Sequence, residues 1–156
     1  MGFGGGQSSP REDRAMSQPI YKNDGAVLYY HPVERIVHHE MLRRVTTKEF
    51  RELLMAGYEV LRKNRATKWL SDDRNHTVLS EEDEAWARTE WFPLVMKAGW
   101  KHWAVVNPVK AVGQLSTKQN AEFMRIGGVT VNVVSTVDEA MAWLKSVDKV
   151  VAKKVG

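Results

Sequence analysis

From residue 45 onward the chain alternates between helices that begin at a capping residue and short apolar runs typical of strands. The four caps are Thr46, Ser80, Ser116 and Thr136, followed three residues later by Glu49, Asp83, Gln119 and Glu139. This spacing is the sequence signature of a helix N-terminus. Short stretches that have the pattern of strands, at residues 67–71, 103–106 and 129–134, separate the helices. The alternation predicts an α/β protein whose parallel strands are joined by right-handed crossovers.

A hairpin signal precedes the first helix. Residues 26–30 and 33–40 read as strands, and His31 and Pro32 lie between them. Proline cannot donate to a strand ladder, so this dipeptide predicts the turn. His38 and His39 are neighbours on the second strand and should point to opposite faces, where they cannot easily share a metal ion. We expect both to face solvent or to be hydrogen-bonded locally.

The fold predicted from these signals is a single α/β domain over residues 20–148. It has a mixed sheet of about five strands, made of the hairpin plus parallel strands, and four helices. Residues 1–19 are rich in glycine, serine and charge, which predicts a disordered N-terminal segment. Residues 149–156 predict a flexible basic C-terminal tail. A hydrophobic content of 43% and a charged content of 27% are ordinary for a soluble globular protein.

The composition also limits the partners and the chemistry. No apolar run approaches the ~20 residues of a membrane span, so we predict no membrane insertion. The chain has no cysteine, which excludes disulfides and thiolate sites and fits a cytoplasmic location. The net charge is +4, but residues 145–156 hold four lysines against one aspartate and the body is nearly neutral. Without a basic stripe on the body, we predict no nucleic-acid partner, and we predict no cofactor or metal.

The second helix, from Ser80 to Gly99, contains six consecutive apolar residues at positions 91–96. At ~100° per residue these side chains surround the whole helix, whereas a helix on one side of a core buries a single stripe. The predicted stripe is Ala85, Thr89, Phe92 and Met96. The other side needs a cover, which can be a loop, a second subunit or a ligand, and we predict a homodimer through this helix. The candidate binding residues here are Trp86, Trp91, Phe92, Leu94 and Val95.

Polar residues follow the strand at 67–71, and ligands in α/β proteins bind at the carboxyl ends of parallel strands. Asp72 and His76 are therefore further candidate binding residues. Asp72, Asn75 and His76 could alternatively bind Mg²⁺ or a phosphate-bearing ligand. The interpretation we favour is that the carboxylates of Asp72 and Asp73 accept hydrogen bonds from backbone amides of the turn. No G-x-S-x-G elbow or oxyanion-hole pattern is present, so we predict no catalytic residue and no enzyme activity.

Four stretches resemble, in their order and spacing, the SpoIIAA-like branch of the STAS domains. They are Thr67-Lys68-Trp69-Leu70-Ser71-Asp72, then Trp91-Phe92-Pro93 leading to Ala98-Gly99, then His102-Trp103-Ala104-Val105-Val106, and finally Asp138-Glu139-Ala140 leading to Trp143-Leu144. The resemblance covers roughly residues 20–148 and implies the α/β fold of that family. Small proteins of this kind also occur among mobile gene-cassette products.

The resemblance implies two functions, and the polar residues at 72–76 leave open a third, an enzyme. Anti-sigma-factor antagonists bind a protein partner and are switched by phosphorylation of a serine at a helix N-terminus. Ser80 occupies a position comparable to that of the phosphorylated serine, but the Asp-Ser-Ser-Gly motif of the phosphorylated members is absent. This favours a role of Ser80 as a helix cap over phosphorylation. Relatives with a Sec14-like character imply a pocket for a small apolar or lipid-like ligand. The leading hypothesis is thus a non-catalytic protein-interaction or regulatory module, and the alternatives are a small-ligand-binding protein and an enzyme using residues 72–76.

Overall fold

A computed structural model describes residues 18–76 and 79–155, with side chains described as far as residue 148. It shows the predicted α/β fold, with a mixed sheet and four helices. The strands are β1 (Pro19–Lys22), β2 (Ala26–His31), β3 (Ile36–Met41), β4 (Lys68–Asp72), β5 (His102–Val106) and β6 (Thr130–Val134). The helices are α1 (Thr47–Asn64), α2 (consecutive segments Glu81–Trp86, Ala87–Trp91 and Phe92–Lys97), α3 (Ala111–Ile126) and α4 (Val137–Val155).

The order of the strands in the sheet follows their order in the chain. β1, β2 and β3 pair antiparallel, whereas β3, β4, β5 and β6 are parallel. The parallel strands therefore share one carboxyl edge. The segments that leave β4 and β5 meet at this edge, where Asp73 N–H donates to the carbonyl of Val106 and Val109 N–H donates to that of Arg74.

The sheet separates two clusters of buried apolar residues. The larger cluster includes residues of α1, α2 and α3, and the smaller one packs the sheet against α4. Successive residues of a strand point to opposite faces, so β4 contributes to both clusters. Trp69 belongs to the large cluster and Leu70 to the small one. Both are fully buried, which explains why the sequence of this central strand shows no polar alternation.

The sheet has six strands, so the prediction of about five was one short. The missing strand is β1, which is only four residues long and mostly exposed. It begins with Pro19 at the edge of the sheet, where a residue without an N–H is tolerated. A short, polar edge strand buries little apolar surface, and it therefore leaves little hydrophobic pattern in the sequence.

Three of the four predicted helix caps are confirmed. Thr46 forms a reciprocal capping box with Glu49, and Ser80 and Thr136 accept hydrogen bonds from the amides three residues later. A side-chain hydrogen bond from Arg43, aided by the backbone of Thr46, lowers the pKa of Glu49 to about 2. The carboxylate that closes the capping box is therefore ionised at neutral pH. A cap of this kind contributes ~1 kcal/mol to stability.

The predicted cap at Ser116 is wrong because α3 begins five residues earlier, at Ala111. Lys110 precedes it and makes no side-chain capping bond. The buried positions of α3 are Gly113, Thr117, Ala121 and Met124. They lie at helical spacing and start before Ser116, so packing against the rest of the protein extends the helix by more than one turn.

The predicted terminal segments have different outcomes. Residues 1–17 of the predicted disordered segment lie outside the described residues, and Pro19 is the start of β1. Helix α4 continues to Val155, so the segment predicted as a flexible tail is helical up to that residue. Among the described residues, none of the helices has the length and apolar character needed to cross a bilayer.

Candidate functional site

A cavity of about 70 Å³ lies at the carboxyl edge of the parallel strands, among residues of the sheet, α1, α2 and α3. A volume of this size exceeds what a single water molecule needs. Its floor is aromatic and is formed by Phe50, Trp91, Phe92, Trp100 and Trp103. Its polar lining includes His39, Ser71, Asp73, His76, Glu84 and Ser116. The cavity thus combines an apolar body with several polar groups, as small-ligand sites do.

The aromatic floor is held in place by ring contacts and by hydrogen bonds. The ring centroids of Trp91 and Trp103 each lie 5.4 Å from that of Trp100, in edge-to-face arrangements. The indole N–H of Trp91 donates to the carbonyl of Leu54 at 2.9 Å, and that of Trp103 donates to Ser71 Oγ at 2.8 Å. Buried indoles with satisfied N–H groups have little freedom to rotate. The floor is therefore preorganised.

A π-helical turn in the middle of α2 brings Trp91 and Phe92 into this floor. Over Ala87–Trp91 the helix widens, and the N–H of Phe92 donates to the carbonyl of Ala87, five residues earlier. The next residue, Pro93, has no N–H to donate. The extra residue in the turn rotates all later side chains relative to the earlier ones. Turns of this kind occur frequently at functional sites.

This change of register overturns two expectations about α2. Half of the predicted buried stripe is wrong, because Ala85 and Thr89 are exposed, whereas Phe92 is buried and Met96 is half-buried. Of the covers considered for the other side of α2, a second subunit is not needed. Trp91 is 3% exposed and Val95 is 0% exposed. The chain itself covers this side, so the apolar run no longer argues for a dimer through α2.

The other candidate binding residues of α2 differ in their positions. Phe92 lines the cavity, as Trp91 does. Leu94 is half-buried and is not part of the lining. Trp86 also lies outside the lining, where its ring packs against Phe50 and stacks under the guanidinium of Arg51 at 5.0 Å. The structure therefore brings only two of the five predicted aromatic and aliphatic residues to the cavity.

His39 has a single tautomer because of its partners. The indole N–H of Trp69 donates to His39 Nδ1 at 3.0 Å, and an indole can only donate. Nδ1 therefore carries no proton, and the proton on Nε2 is donated to Asp73 Oδ1 at 2.9 Å. His39 is neutral in this arrangement, and both of its nitrogens are occupied. Its role is to position the carboxylate of Asp73 at the cavity.

Asp73 and His76 are the titratable groups next to this pair. Burial alone would raise the pKa of Asp73, but the interactions with His39 and then His76 outweigh it and hold that pKa below its ordinary value. Burial lowers the pKa of His76, so its imidazole is neutral at pH 7. Among the described residues, none is hydrogen-bonded to Nδ1 of His76, which is buried. The cavity thus contains a carboxylate and a neutral imidazole with unused hydrogen-bonding capacity.

Asp72 was predicted as a binding residue and does not line the cavity. Its carboxylate forms two hydrogen bonds with the guanidinium of Arg74, at 2.9 and 2.8 Å, and accepts a longer one, at 3.4 Å, from the Arg74 amide. The favoured interpretation holds for Asp72, which accepts from one loop amide and is bound mainly to the Arg74 side chain. For Asp73 the expected amide bond is not found among the described residues, where its carboxylate is bound to His39. Asn75 is exposed, and the described part of the chain holds no group of three or more potential metal ligands.

Ser80 lies at the surface, outside the cavity lining. Its hydroxyl accepts the amide of Asp83 at 3.1 Å, which is the capping role favoured above. His38 and His39 point to opposite faces, as expected. His38 is within hydrogen-bonding distance of His31 across the hairpin, at 3.0 Å, whereas His39 contacts Trp69. Both histidines are buried and hydrogen-bonded locally rather than facing solvent.

Several cavity residues escaped the sequence analysis. Asp73 follows Trp69 and Ser71 at a spacing of two, so the alternation of an extended strand places all three on the cavity side and Asp72 on the other. That signal was available in the sequence. Glu84 and Ser116 were not recognisable, because their hydrogen bond at 2.5 Å joins α2 to α3 across a gap of 32 residues.

Comparison of the chain with models of protein families, with curated proteins and with solved structures gave no match. The interpretation of the site therefore rests on its own geometry.

Proposed function

We propose that this protein is a non-catalytic binding protein for a small ligand, which occupies the cavity at the carboxyl edge of the sheet. The observation that supports this most directly is the preorganised aromatic floor beneath polar groups with unused hydrogen-bonding capacity. Preorganisation favours binding because little side-chain freedom is lost when the ligand enters. This was the second of the functions considered from the sequence, and the cavity now favours it over a protein-interaction module.

The contacts of the polar residues favour binding over catalysis. Both nitrogens of His39 are engaged, so it has no free position from which to take a proton. Ser71 accepts the indole N–H of Trp103, and the Ser116 hydroxyl donates to Glu84. A serine nucleophile needs an adjacent base, usually a histidine. Among the described residues, neither cavity serine is hydrogen-bonded to a histidine.

The test is native mass spectrometry of protein purified from its host, compared with a variant in which the cavity is blocked. Ser116→Trp places a large side chain at the lining, and Lys118→Trp places the same side chain on an exposed position of α3. We expect a small molecule to remain on the wild type and on Lys118→Trp, and to be lost from Ser116→Trp. Retention by all three proteins would contradict the assignment to this cavity, and so would loss from Lys118→Trp alone.

A second candidate, the protein-interaction module, is supported by an apolar stripe on the outer face of α3. Val112, Leu115, Phe123 and Ile126 are exposed, and Ile126 is 89% exposed. At ~100° per residue these positions fall within a quarter of the helix circumference. Gln119 lies in the middle of this face and separates the apolar residues into one group near each end of the helix. Exposed apolar groups on one face of a soluble protein often mark an interface. We therefore place the predicted homodimer contact on α3 rather than on α2.

Sedimentation velocity at micromolar concentration tests this second candidate. We expect wild-type protein to sediment as a dimer and the double variant Leu115→Glu/Ile126→Glu to sediment as a folded monomer. Lys118→Glu, beside the stripe on the same helix, is the control and should remain dimeric. A wild-type protein that is monomeric at all concentrations would exclude the homodimer.

We also propose that the protein belongs to the SpoIIAA-like branch and that it is cytoplasmic. Membership of the SpoIIAA-like branch is supported by the four quoted stretches, by the mixed sheet and by the four helices. A regulatory role and a cytoplasmic location are supported by that resemblance and by the cysteine-free composition. The small-ligand function does not depend on either proposal.

A further inference from the structure

The lysine, arginine, aspartate and glutamate content of the described cavity lining is entirely acidic. Among the described lining residues are two carboxylates, Asp73 and Glu84, and no lysine or arginine. Two arginines that contact neighbouring residues are hydrogen-bonded to other side chains. Arg88 donates to the side chain of Asn120 at 3.0 Å, and Arg74 is bound to Asp72. Neither arginine is part of the lining.

The two histidines of the lining do not offset this charge. His39 is neutral because Trp69 donates to its Nδ1, and its remaining proton is donated to Asp73. His76 is neutral at pH 7 because burial lowers its pKa. The lining residues therefore carry negative charge at neutral pH. The charge of Arg44 contributes to lowering the pKa of His76, but Arg44 is not part of the lining.

In each carboxylate, one oxygen is hydrogen-bonded within the described part of the chain. Asp73 accepts from His39 through Oδ1, and Glu84 accepts from the Ser116 hydroxyl through Oε1. No described group donates to Asp73 Oδ2 or to Glu84 Oε2, and neither oxygen is buried without a partner. Both oxygens therefore remain accessible to a donor on a ligand, although the side chain of Asp73 is only 16% exposed.

We propose that the ligand of this cavity is a small organic cation, an amine or quaternary ammonium compound, held between the aromatic floor and the carboxylates of Asp73 and Glu84. This inference rests on the proposed small-ligand function and names its chemical class. The faces of tryptophan and phenylalanine rings attract cations, and the attraction is stronger where water is excluded. The negatively charged carboxylates also attract the cation.

The same features argue against the other ligand classes. An anionic ligand would meet two carboxylates and no lining lysine or arginine. A purely apolar ligand would displace water from the carboxylates and leave them without partners. A cavity of about 70 Å³ is also small, so a compact cationic group suits it better than a lipid chain. We therefore propose a small organic cation in place of the small apolar or lipid-like ligand expected from the sequence.

The test compares choline with dimethylbutanol, the neutral compound in which a carbon replaces the ammonium nitrogen. Binding is followed by isothermal titration calorimetry and by the NMR shifts of the indole N–H groups. We expect choline to bind about tenfold more tightly than the neutral compound, since cation–π and carboxylate attraction act on choline alone. Equal affinity for the two compounds would overturn the proposal.

Two conservative variants assign the effect to the carboxylates. Asp73→Asn and Glu84→Gln each remove a negative charge and keep the shape of the side chain, and each should weaken choline binding about threefold while leaving dimethylbutanol binding unchanged. Glu82→Gln, on the exposed side of α2, is the control and should change neither affinity. Thermal unfolding checks that each variant is folded. If Asp73→Asn fails to fold, Glu84→Gln decides the outcome.

The failure of this inference can be distinguished from the failure of the proposed function. If choline, tetramethylammonium and benzylamine all fail to bind, the cationic class is wrong. A small molecule lost only from Ser116→Trp would then still support the cavity as a ligand site. If choline binds Ser116→Trp as tightly as it binds the wild type, the cation occupies another place and the proposal is overturned.

Discussion

Replacing Gly57 with alanine is expected to destabilise the protein by about 1–3 kcal/mol, the typical cost of overpacking a core. A loss of stability is unusual for this replacement, because glycine to alanine inside an ordinary helix stabilises the protein by about 1 kcal/mol. The reason is the close approach of α1 to Trp69. A Cβ atom on Gly57 would collide with Cη2 of that indole and would lie 2.9 Å from Cζ2.

Trp69 has little room to move away from the added methyl group. It is fully buried, its ring packs edge-to-face on Trp91, and its N–H is donated to His39. The collision must therefore be relieved by shifting the helix or by breaking the hydrogen bond that fixes His39. The second route would also disturb Asp73, so we expect weaker ligand binding in addition to lower stability.

Urea unfolding measures the effect, with Gly127→Ala as the matched control. A Cβ atom at Gly127 would also be crowded, at 2.6 Å, but the atom it meets is the terminal methyl of Met96, which can rotate away. Gly127 has an ordinary φ of −75°, so alanine introduces no backbone strain there. A Gly57→Ala protein as stable as the Gly127→Ala protein would show that the contact with Trp69 is soft.

Most of the fold was predictable because its signals are local. The caps at Thr46 and Ser80 need only residues within one helical turn, and the parallel strands are short stretches rich in β-branched and aromatic residues. Strand β1 was missed because Pro19–Lys22 is a mostly exposed edge strand. The extent of α3 was underestimated because packing along Gly113 and Thr117, rather than a cap, determines where that helix begins.

The site was less predictable, for two physical reasons. The π-helical turn at Ala87–Trp91 changes which side chains of α2 point inward, and a calculation at ~100° per residue cannot include it. The cavity itself is a tertiary feature, since Glu84 and Ser116 meet only when α2 and α3 pack together. The sequence could have indicated Asp73 rather than Asp72 as the cavity residue. The two are neighbours at the end of β4, so their side chains point to opposite faces of the sheet.

The second large expected effect is the loss of about 2–4 kcal/mol of stability when Asp148 is replaced with alanine. Lys68, the first residue of β4, is only 4% exposed, and its ammonium lies 2.6 Å from Oδ2 of Asp148 on α4. Breaking a buried pair by removing one partner leaves an uncompensated charge, which is costly, and the 74% exposure of Asp148 places this pair toward the lower end of that cost.

The double variant Lys68→Met/Asp148→Ala separates the unpaired charge from a general role of this contact in docking α4. Replacing both charged residues leaves no buried ammonium, so most of the lost stability should return. Lys145→Ala, at an exposed position of α4, is the control and should unfold within about 0.5 kcal/mol of the wild type. The measurement is the free energy of unfolding in urea for all four proteins at pH 7. A double variant no more stable than Asp148→Ala would show that the contact acts through packing of α4 on the sheet, and the expected cost of an unpaired Lys68 would then be wrong.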